Sequence, residues 1–303
     1  MDDFAEDGII DFDLIVDRDK CRQLLANIKS RRSFTNELFL TEKEYLDNPQ
    51  HKGVNPIPGR NLLEAFDNAL GFIEENPTTV TALTHLLGPG YQILDKKIVC
   101  GTPEWWLPEW LVQRIRGNPV NNLGAYVRPE YRDITYFYGI DFHQDIIDWP
   151  NRSADFLTLY VYLHPVTIHD APLYVLPGSH RLGATVFPHS LTQLSDAPLI
   201  WRYTDGRGGI VDCRQRVLIG DTGYVALWHP CTLHGTQPDT ADKERISLRY
   251  LFAKAENAAP AGIDVVNTTL RGLLTLVETR QDLEEDGTAR LRRNIINTLR
   301  SND

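Results

Sequence analysis

Between Phe156 and Leu163 the chain alternates without a break. Leu157, Leu159, Val161 and Leu163 take the odd positions; Phe156, Thr158, Tyr160 and Tyr162 take the even ones. Successive side chains of a strand point to opposite faces, so one face of this segment is aliphatic and the other is aromatic with hydroxyls. Such a strand packs on a core with one side and lines a ligand cavity with the other. Arg245–Phe252 repeats the pattern: Ile246, Leu248, Tyr250 and Phe252 alternate with Arg245, Ser247, Arg249 and Leu251. Two arginines and a serine therefore point the same way.

From about Ile98 to Ala253 short β-branched and aromatic runs alternate with turn residues, as strands of a sandwich or barrel do. The flanks read differently. Asp17–Ser30 places Cys21, Leu24, Leu25 and Ile28 at helical spacing, and Gly59–Asn76 does so with Leu62, Leu63, Phe66, Ala69, Leu70 and Ile73. The Pro- and Gly-punctuated stretch His51–Gly59 between them reads as loop. Val266–Thr279 and Asp286–Arg300, the latter with Leu291, Ile295 and Leu299 on one stripe, read as helices. Apolar residues make up 42% of the 303, enough for a sizeable core. The expected class is mainly β with flanking helices. The expected organisation is one domain over 1–303: a helical region over about 1–97, a β core over about 98–253 and C-terminal helices over about 262–301.

The net charge of −10 repels phosphate backbones, so nucleic acid is not an expected partner. No block of Lys or Arg suggests a membrane surface, and no stretch approaches the roughly 18 uninterrupted apolar residues of a membrane span. The start, Met1-Asp2-Asp3-Phe4-Ala5-Glu6-Asp7, lacks the apolar run of a signal peptide. Cys21, Cys100, Cys213 and Cys231 stand apart from one another and read as buried thiols. The expected compartment is the cytoplasm.

Phe142-His143-Gln144-Asp145 contains His-x-Asp. In an extended segment residues i and i+2 share a face, so imidazole and carboxylate can reach one point. Two imidazoles and a carboxylate on one face of an octahedral metal form the facial triad of non-haem Fe(II) oxygenases, with three positions left open. The pair alone is weak, since a chain of this composition holds about one by chance. Further along, Gly220–Thr236 reads as turn, strand, bend and then His234. Eleven residues after His234 stands Arg245, whose guanidinium could grip a carboxylate bidentately.

With these residues together, the span from about Tyr136 to Phe252 resembles the phytanoyl-CoA dioxygenase family of Fe(II)/2-oxoglutarate oxygenases. The matching pieces are His143-Gln144-Asp145, Leu176-Pro177-Gly178-Ser179-His180, Gly220-Asp221, His234-Gly235-Thr236 and Arg245. The resemblance implies a double-stranded β-helix (jelly-roll, cupin-like) core. It implies that His143, Asp145 and His234 bind Fe(II), and that Arg245, Thr236 and Tyr160 contact 2-oxoglutarate. It also implies that O₂ and a small-molecule metabolite are consumed, with hydroxylation the leading outcome and secondary metabolism a plausible setting. Where relatives carry Asn-Gly before the Pro-Gly-Ser-His strand, this chain has Asp170-Ala171-Pro172-Leu173, which alters the turn there. Halogenating relatives lack the acidic ligand; Asp145 is present.

Other residues are open to two readings. Arg249 shares the face of Arg245 and is a candidate substrate contact, a competitor for the cosubstrate role, or a surface or interface arginine. Trp149, just past the His-x-Asp pair, is a candidate substrate wall. His180 and His229 read as structural, while Glu104–Trp110 reads as aromatics packed on the barrel or as a lid. Two rival functions remain: a metal-dependent cupin-type enzyme that does not use 2-oxoglutarate, which would lack a dedicated arginine, and a non-catalytic binding protein on the same fold, which would have lost a ligand. The oligomeric state is left undetermined by the sequence.

Overall fold

Phe156–Tyr162 forms a strand in which every residue is buried. That is the outcome of two apolar faces, each with its own packing partner. In this computed structural model residues 2–49 and 61–282, with 284 and 290, are described. Their strands are β1 (Ile9–Leu14), β2 (Gln92–Gly101), β3 (Val120–Asn122), β4 (Thr135–His143), β5 (Phe156–Tyr162), β6 (Leu173–Leu176), β7 (Ser190–Leu194), β8 (Ala197–Thr204), β9 (Ile210–Arg214), β10 (Arg216–Leu218), β11 (Tyr224–Trp228), β12 (Leu233–Thr236) and β13 (Arg245–Ala253).

One sheet runs in the order β1-β11-β5-β13-β2-β4-β12-β6-β10, with β3 added at β4, and β7-β8-β9 form a second. Pairing is antiparallel except between β2 and β4. The sheet curls so that its two faces do different work. Leu157, Leu159, Val161, Ile246, Leu248, Tyr250 and Phe252 face outward into a cluster with the flanking helices. Tyr160, Tyr162, Val99, Val175 and Trp228 face inward. This is a double-stranded β-helix with helical buttresses.

The helix expected over Asp17–Ser30 runs over Arg18–Arg31, capped by Asp17, whose carboxylate accepts from the amides of Asp19 and Lys20. The helix expected over Gly59–Asn76 is instead a 3₁₀ segment, Leu62–Ala69, followed by a short α-turn, Gly71–Glu74. Asn61 Oδ1 accepts from Leu63 N–H and also from Ile98 N–H of β2, which ties the start of the segment to the sheet. Ala69 is exposed rather than on the apolar stripe. His51–Gly59 lies outside the described residues.

Three further expectations need correction. The N-terminal region is not helical throughout: β1 adds to the edge of β11. The β core starts at Gln92 rather than Ile98. The helix expected over Val266–Thr279 is Gly262–Thr269. Beyond it the chain runs as an irregular strap, because its carbonyls are claimed by loops: Leu273 O by Ala184 N–H, Leu274 O by Ala154 N–H, Leu276 O by Asn151 N–H and Thr279 O by Phe187 N–H. The expected helix Asp286–Arg300 lies outside the described residues. All four cysteines are free and buried, and burial pushes the thiols of Cys21 and Cys213 up to about 12.

Candidate metal centre

His143 ends β4 and His234 lies directly opposite it in β12. Asp145 follows one residue after the strand, at the start of a 3₁₀ turn. Potential ligand atoms of these three residues lie within 4.8 Å of one another. The imidazole centroids are 4.2 Å apart, and His234 Nε2 is 3.6 Å from Asp145 Oδ2.

Both imidazoles are oriented in the same way. His143 Nδ1–H donates to Asp141 O and His234 Nδ1–H to Thr232 O, each at 3.0 Å. A carbonyl can only accept, so each Nδ1 carries a proton, and in the neutral imidazole this leaves Nε2 with its lone pair for a metal. Burial, then the neighbouring His234, holds His143 well below its ordinary pKa, so it stays neutral and available as a ligand. Asp145 is 2% exposed. Its burial favours the neutral acid, but His234, Arg249 and His143 outweigh that and the group is held below the usual carboxylate range.

Three residues that the sequence did not single out hold this arrangement. Thr158 Oγ1 donates to Asp145 Oδ2 at 2.6 Å, and Trp228 Nε1 donates to the same oxygen at 2.9 Å. Gln144, between two of the ligands, points away from them: its Nε2 donates to Gly183 O and Cys231 O, and its Oε1 accepts from Thr185 N–H. Parity put Thr158 on the cavity face, which was the available signal. Trp228 and Gln144 carried none, since their partners are distant in sequence.

Arg245 lies on β13 with 1% of its surface exposed. Its guanidinium sits 5.6 Å above the Tyr160 ring. Tyr160 stacks on Trp228, whose ring lies 4.9 Å from His234. Nε and Nη1 of Arg245 find no hydrogen-bond partner among the described residues. Facing it in β2 is Gly101, where a methyl would already stand 3.4 Å from Nε. Arg249, two rungs along the same face, reaches Asp145 Oδ1 at 3.5 Å. The two arginines thus occupy distinct places: Arg249 reaches Asp145, and Arg245 covers the Tyr160 ring two rungs away.

Thr236 is buried, and its hydroxyl donates to Ala171 O at 2.8 Å, so its proton is directed at the backbone. Ala171 itself sits at φ +46, the left-handed conformation a glycine would take without strain. Trp149 packs on Phe156 against a cluster with Ile146 and Leu251. His180 meets Ala5 O and His229 meets Asn267 Oδ1, both structural. In the tryptophan-rich segment Trp106 is buried and Trp110 packs on the core, while Trp105 is exposed.

Comparison with known proteins agrees with this geometry. The family profile of phytanoyl-CoA dioxygenase matches residues 129–247. Over this stretch the chain is similar to the phytanoyl-CoA dioxygenase family. The matched stretch contains the clustered His143, Asp145 and His234, together with Tyr160, Thr236 and Arg245. A probable alpha-ketoglutarate-dependent hypophosphite dioxygenase of Stutzerimonas stutzeri is 27% identical over 117 residues, which is 39% of this chain and 40% of that relative. The match therefore spans about two fifths of the curated relative's length. Among solved structures, the non-heme alpha ketoglutarate dependent epimerase SnoN from nogalamycin biosynthesis superposes with a TM-score of 0.52 at 13% identity, over 88% of this chain and 86% of that one. That likeness shows a shared fold that extends well beyond residues 129–247.

Proposed function

We propose that the chain is an Fe(II)- and 2-oxoglutarate-dependent dioxygenase that hydroxylates a small-molecule metabolite. The observation that carries this reading is a pair of complementary vacancies in hydrogen bonding. Two neutral imidazoles offer Nε2 lone pairs beside a buried carboxylate, and on the same cavity wall a buried guanidinium keeps two nitrogens without partners among the described residues. The first set suits a divalent cation with N and O ligands. The second suits a carboxylate, which an arginine accepts bidentately. A cosubstrate with a chelating 2-oxo acid at one end and a carboxylate at the other joins the two needs.

In this reading His143, Asp145 and His234 hold the iron. Arg245 holds the distal carboxylate of 2-oxoglutarate, with the Tyr160 ring against its guanidinium. Thr236 contributes by fixing the Ala171 turn, and its lone pairs rather than its proton face any cosubstrate. Bound iron with 2-oxoglutarate and O₂ supplies the oxidising power, with succinate and CO₂ as coproducts. The protein's own part is placement: Thr158 and Trp228 keep Asp145 ionised and still, and the aromatic wall of Tyr160, Tyr162 and Trp228 keeps the interior dry. Trp149 serves as an outer wall of the substrate region.

The reading takes the whole chain as one working domain, since β1 from the N-terminal region and the strap after Thr269 are both bonded to the β core. It places the enzyme in the cytoplasm, in secondary metabolism, with no nucleic-acid partner. Among the described residues no helix is long and apolar enough to cross a membrane. Anaerobic addition of Fe(II) and 2-oxoglutarate should give the visible charge-transfer band of the chelate, and His143→Ala or His234→Ala should abolish it. A full band with full turnover in either variant would overturn the ligand assignment.

A further inference from the structure

The inner face of β5, β13 and β2 is ordered in rungs. Thr158, Leu251 and Asp95 form one; Tyr160, Arg249 and Lys97 form the next; Tyr162, Ser247 and Val99 follow; Arg245 and Gly101 come last. Lys97 therefore stands directly opposite Arg249, on the same face. Its neighbour Lys96 points outward, to Asp67 and Glu74, which fixes the parity. Side chains opposite each other in antiparallel strands have Cβ atoms about 5 Å apart, so two cations share one spot in the cavity wall.

Neither cation is well paired. Lys97 Nζ is 3.9 Å from Asp95 Oδ2, and Arg249 is 3.5 Å from Asp145 Oδ1. Both separations exceed a charge-assisted hydrogen bond of about 2.7–2.9 Å. Arg249 Nε has no partner among the described residues. A metal on Asp145 would claim the one carboxylate that Arg249 faces, leaving two cations against Asp95. Unlike Arg245, both reach solvent: the side chains of Lys97 and Arg249 are 21% and 12% exposed, so a ligand can arrive there from outside.

We propose that Lys97 and Arg249 form the seat for an anionic group of the primary substrate, so that the molecule oxidised carries a carboxylate or an oxyanion of similar size. This rests on the oxygenase reading above for the reaction, though not for the seat. The cosubstrate does not compete for it, because Arg245 lies four residues away along an extended strand, roughly 13 Å. The Lys97 amine fits the role. Burial, and then the charge of Arg249, push it down to about 8, against the pull of Asp95, Asp148 and Asp145. An anion laid across the pair relieves that repulsion.

Two measurements test the seat separately from the chemistry. In the metal-free protein at pH 8, trace acetylation of Lys97, read by peptide mass spectrometry, should slow at least threefold with propionate or methylphosphonate but not with propionamide at equal ionic strength. Arg249→Gln should abolish that protection. In the anaerobic Fe(II)·2-oxoglutarate complex, the same anions should perturb the visible band, and Lys97→Gln should raise their dissociation constants at least tenfold while leaving the 2-oxoglutarate titration unchanged. Carboxylate and phosphonate arms differing in affinity would name the preferred oxyanion. Equal binding of propionamide, or unchanged anion binding in Lys97→Gln with an intact band, overturns the seat and leaves the oxygenase reading standing. Protection of Lys97 in a wild-type protein that forms no band supports the seat and overturns the oxygenase reading.

Discussion

Arg245→Gln tests the proposed cosubstrate contact separately from the clustered His143, Asp145 and His234. The guanidinium is 1% exposed, has two nitrogens without partners among the described residues, and touches no metal ligand. Losing one partner of a desolvated charge pair costs about 2–5 kcal/mol. At about 1.4 kcal/mol per tenfold, the 2-oxoglutarate concentration for half-saturation should rise between about 30-fold and a few thousand-fold. Arg249→Gln should leave that concentration nearly unchanged, because Arg249 reaches Asp145 while Arg245, two rungs away, covers the Tyr160 ring. Succinate formation against 2-oxoglutarate concentration for both variants gives the two numbers. Thermal unfolding of the metal-free proteins supplies the control: removing a buried cation that lacks full pairing should not lower the melting temperature of Arg245→Gln. A large cosubstrate defect in Arg249→Gln with none in Arg245→Gln would refute the assignment and exchange the two roles.

Trp228→Phe keeps a ring against Tyr160 but removes the indole donor to Asp145 Oδ2. Metal affinity, read by Co(II) titration, should fall about 10- to 100-fold, and an unchanged affinity would show that Thr158 alone suffices. Asp239 is buried and lacks a partner for Oδ2 among the described residues; burial raises its carboxyl to about 7. The native state then keeps a proton that the unfolded chain releases from about pH 4 upward. The contribution of Asp239 to stability should therefore fall as pH rises from about 4 to about 7, by an upper bound of about 4 kcal/mol, and level off above, against the opposite contribution of the buried histidines His180, His189 and His229. In urea unfolding across that range, the stability of wild type relative to Asp239→Asn should fall by this amount, and a constant difference would refute the raised carboxyl. Ala171→Gly relieves a left-handed alanine and should stabilise by about 0.5–1 kcal/mol, read as a small rise in melting temperature; a fall would mean the alanine methyl contributes packing that outweighs the strain.

What could be read from the sequence was what is local. The alternation in Phe156–Leu163 and Arg245–Phe252 states which side chains share a face, and β5 and β13 follow it residue by residue. His143 and Asp145 are two apart, so their convergence needed no tertiary information. The failures are all long-range. Ile9–Leu14 becomes a strand because β11 offers it an edge. Val266–Thr279 has helical spacing, yet four of its carbonyls find better-placed donors in distant loops. Lys97 could not be singled out until the register of β2 with β13 set it opposite Arg249. Thr158 and Trp228 acquire their function only because Asp145 is folded between them.

The two faces of β13 also show where stability is given up. On the outer face Ile246, Leu248 and Phe252 are buried in the main apolar cluster, and burying each such side chain is worth about 1.5–3 kcal/mol. On the inner face, three successive inward positions, Arg245, Ser247 and Arg249, each keep a buried polar atom without a partner among the described residues. Each such atom costs about 1–3 kcal/mol, more where it is charged. Native proteins hold few of these, and a strand built only for stability would carry aliphatic residues on both sides. Here the cost falls on one face of one strand, beside the clustered ligands and facing β2 and β5. A wall of that kind is stabilised by what binds to it, so ligands should raise the melting temperature more than their number of contacts with the outer core would suggest. 2-Oxoglutarate should do so through Arg245 and an anionic substrate through Arg249, and the two increments should add, because their seats lie too far apart along β13 to share a partner.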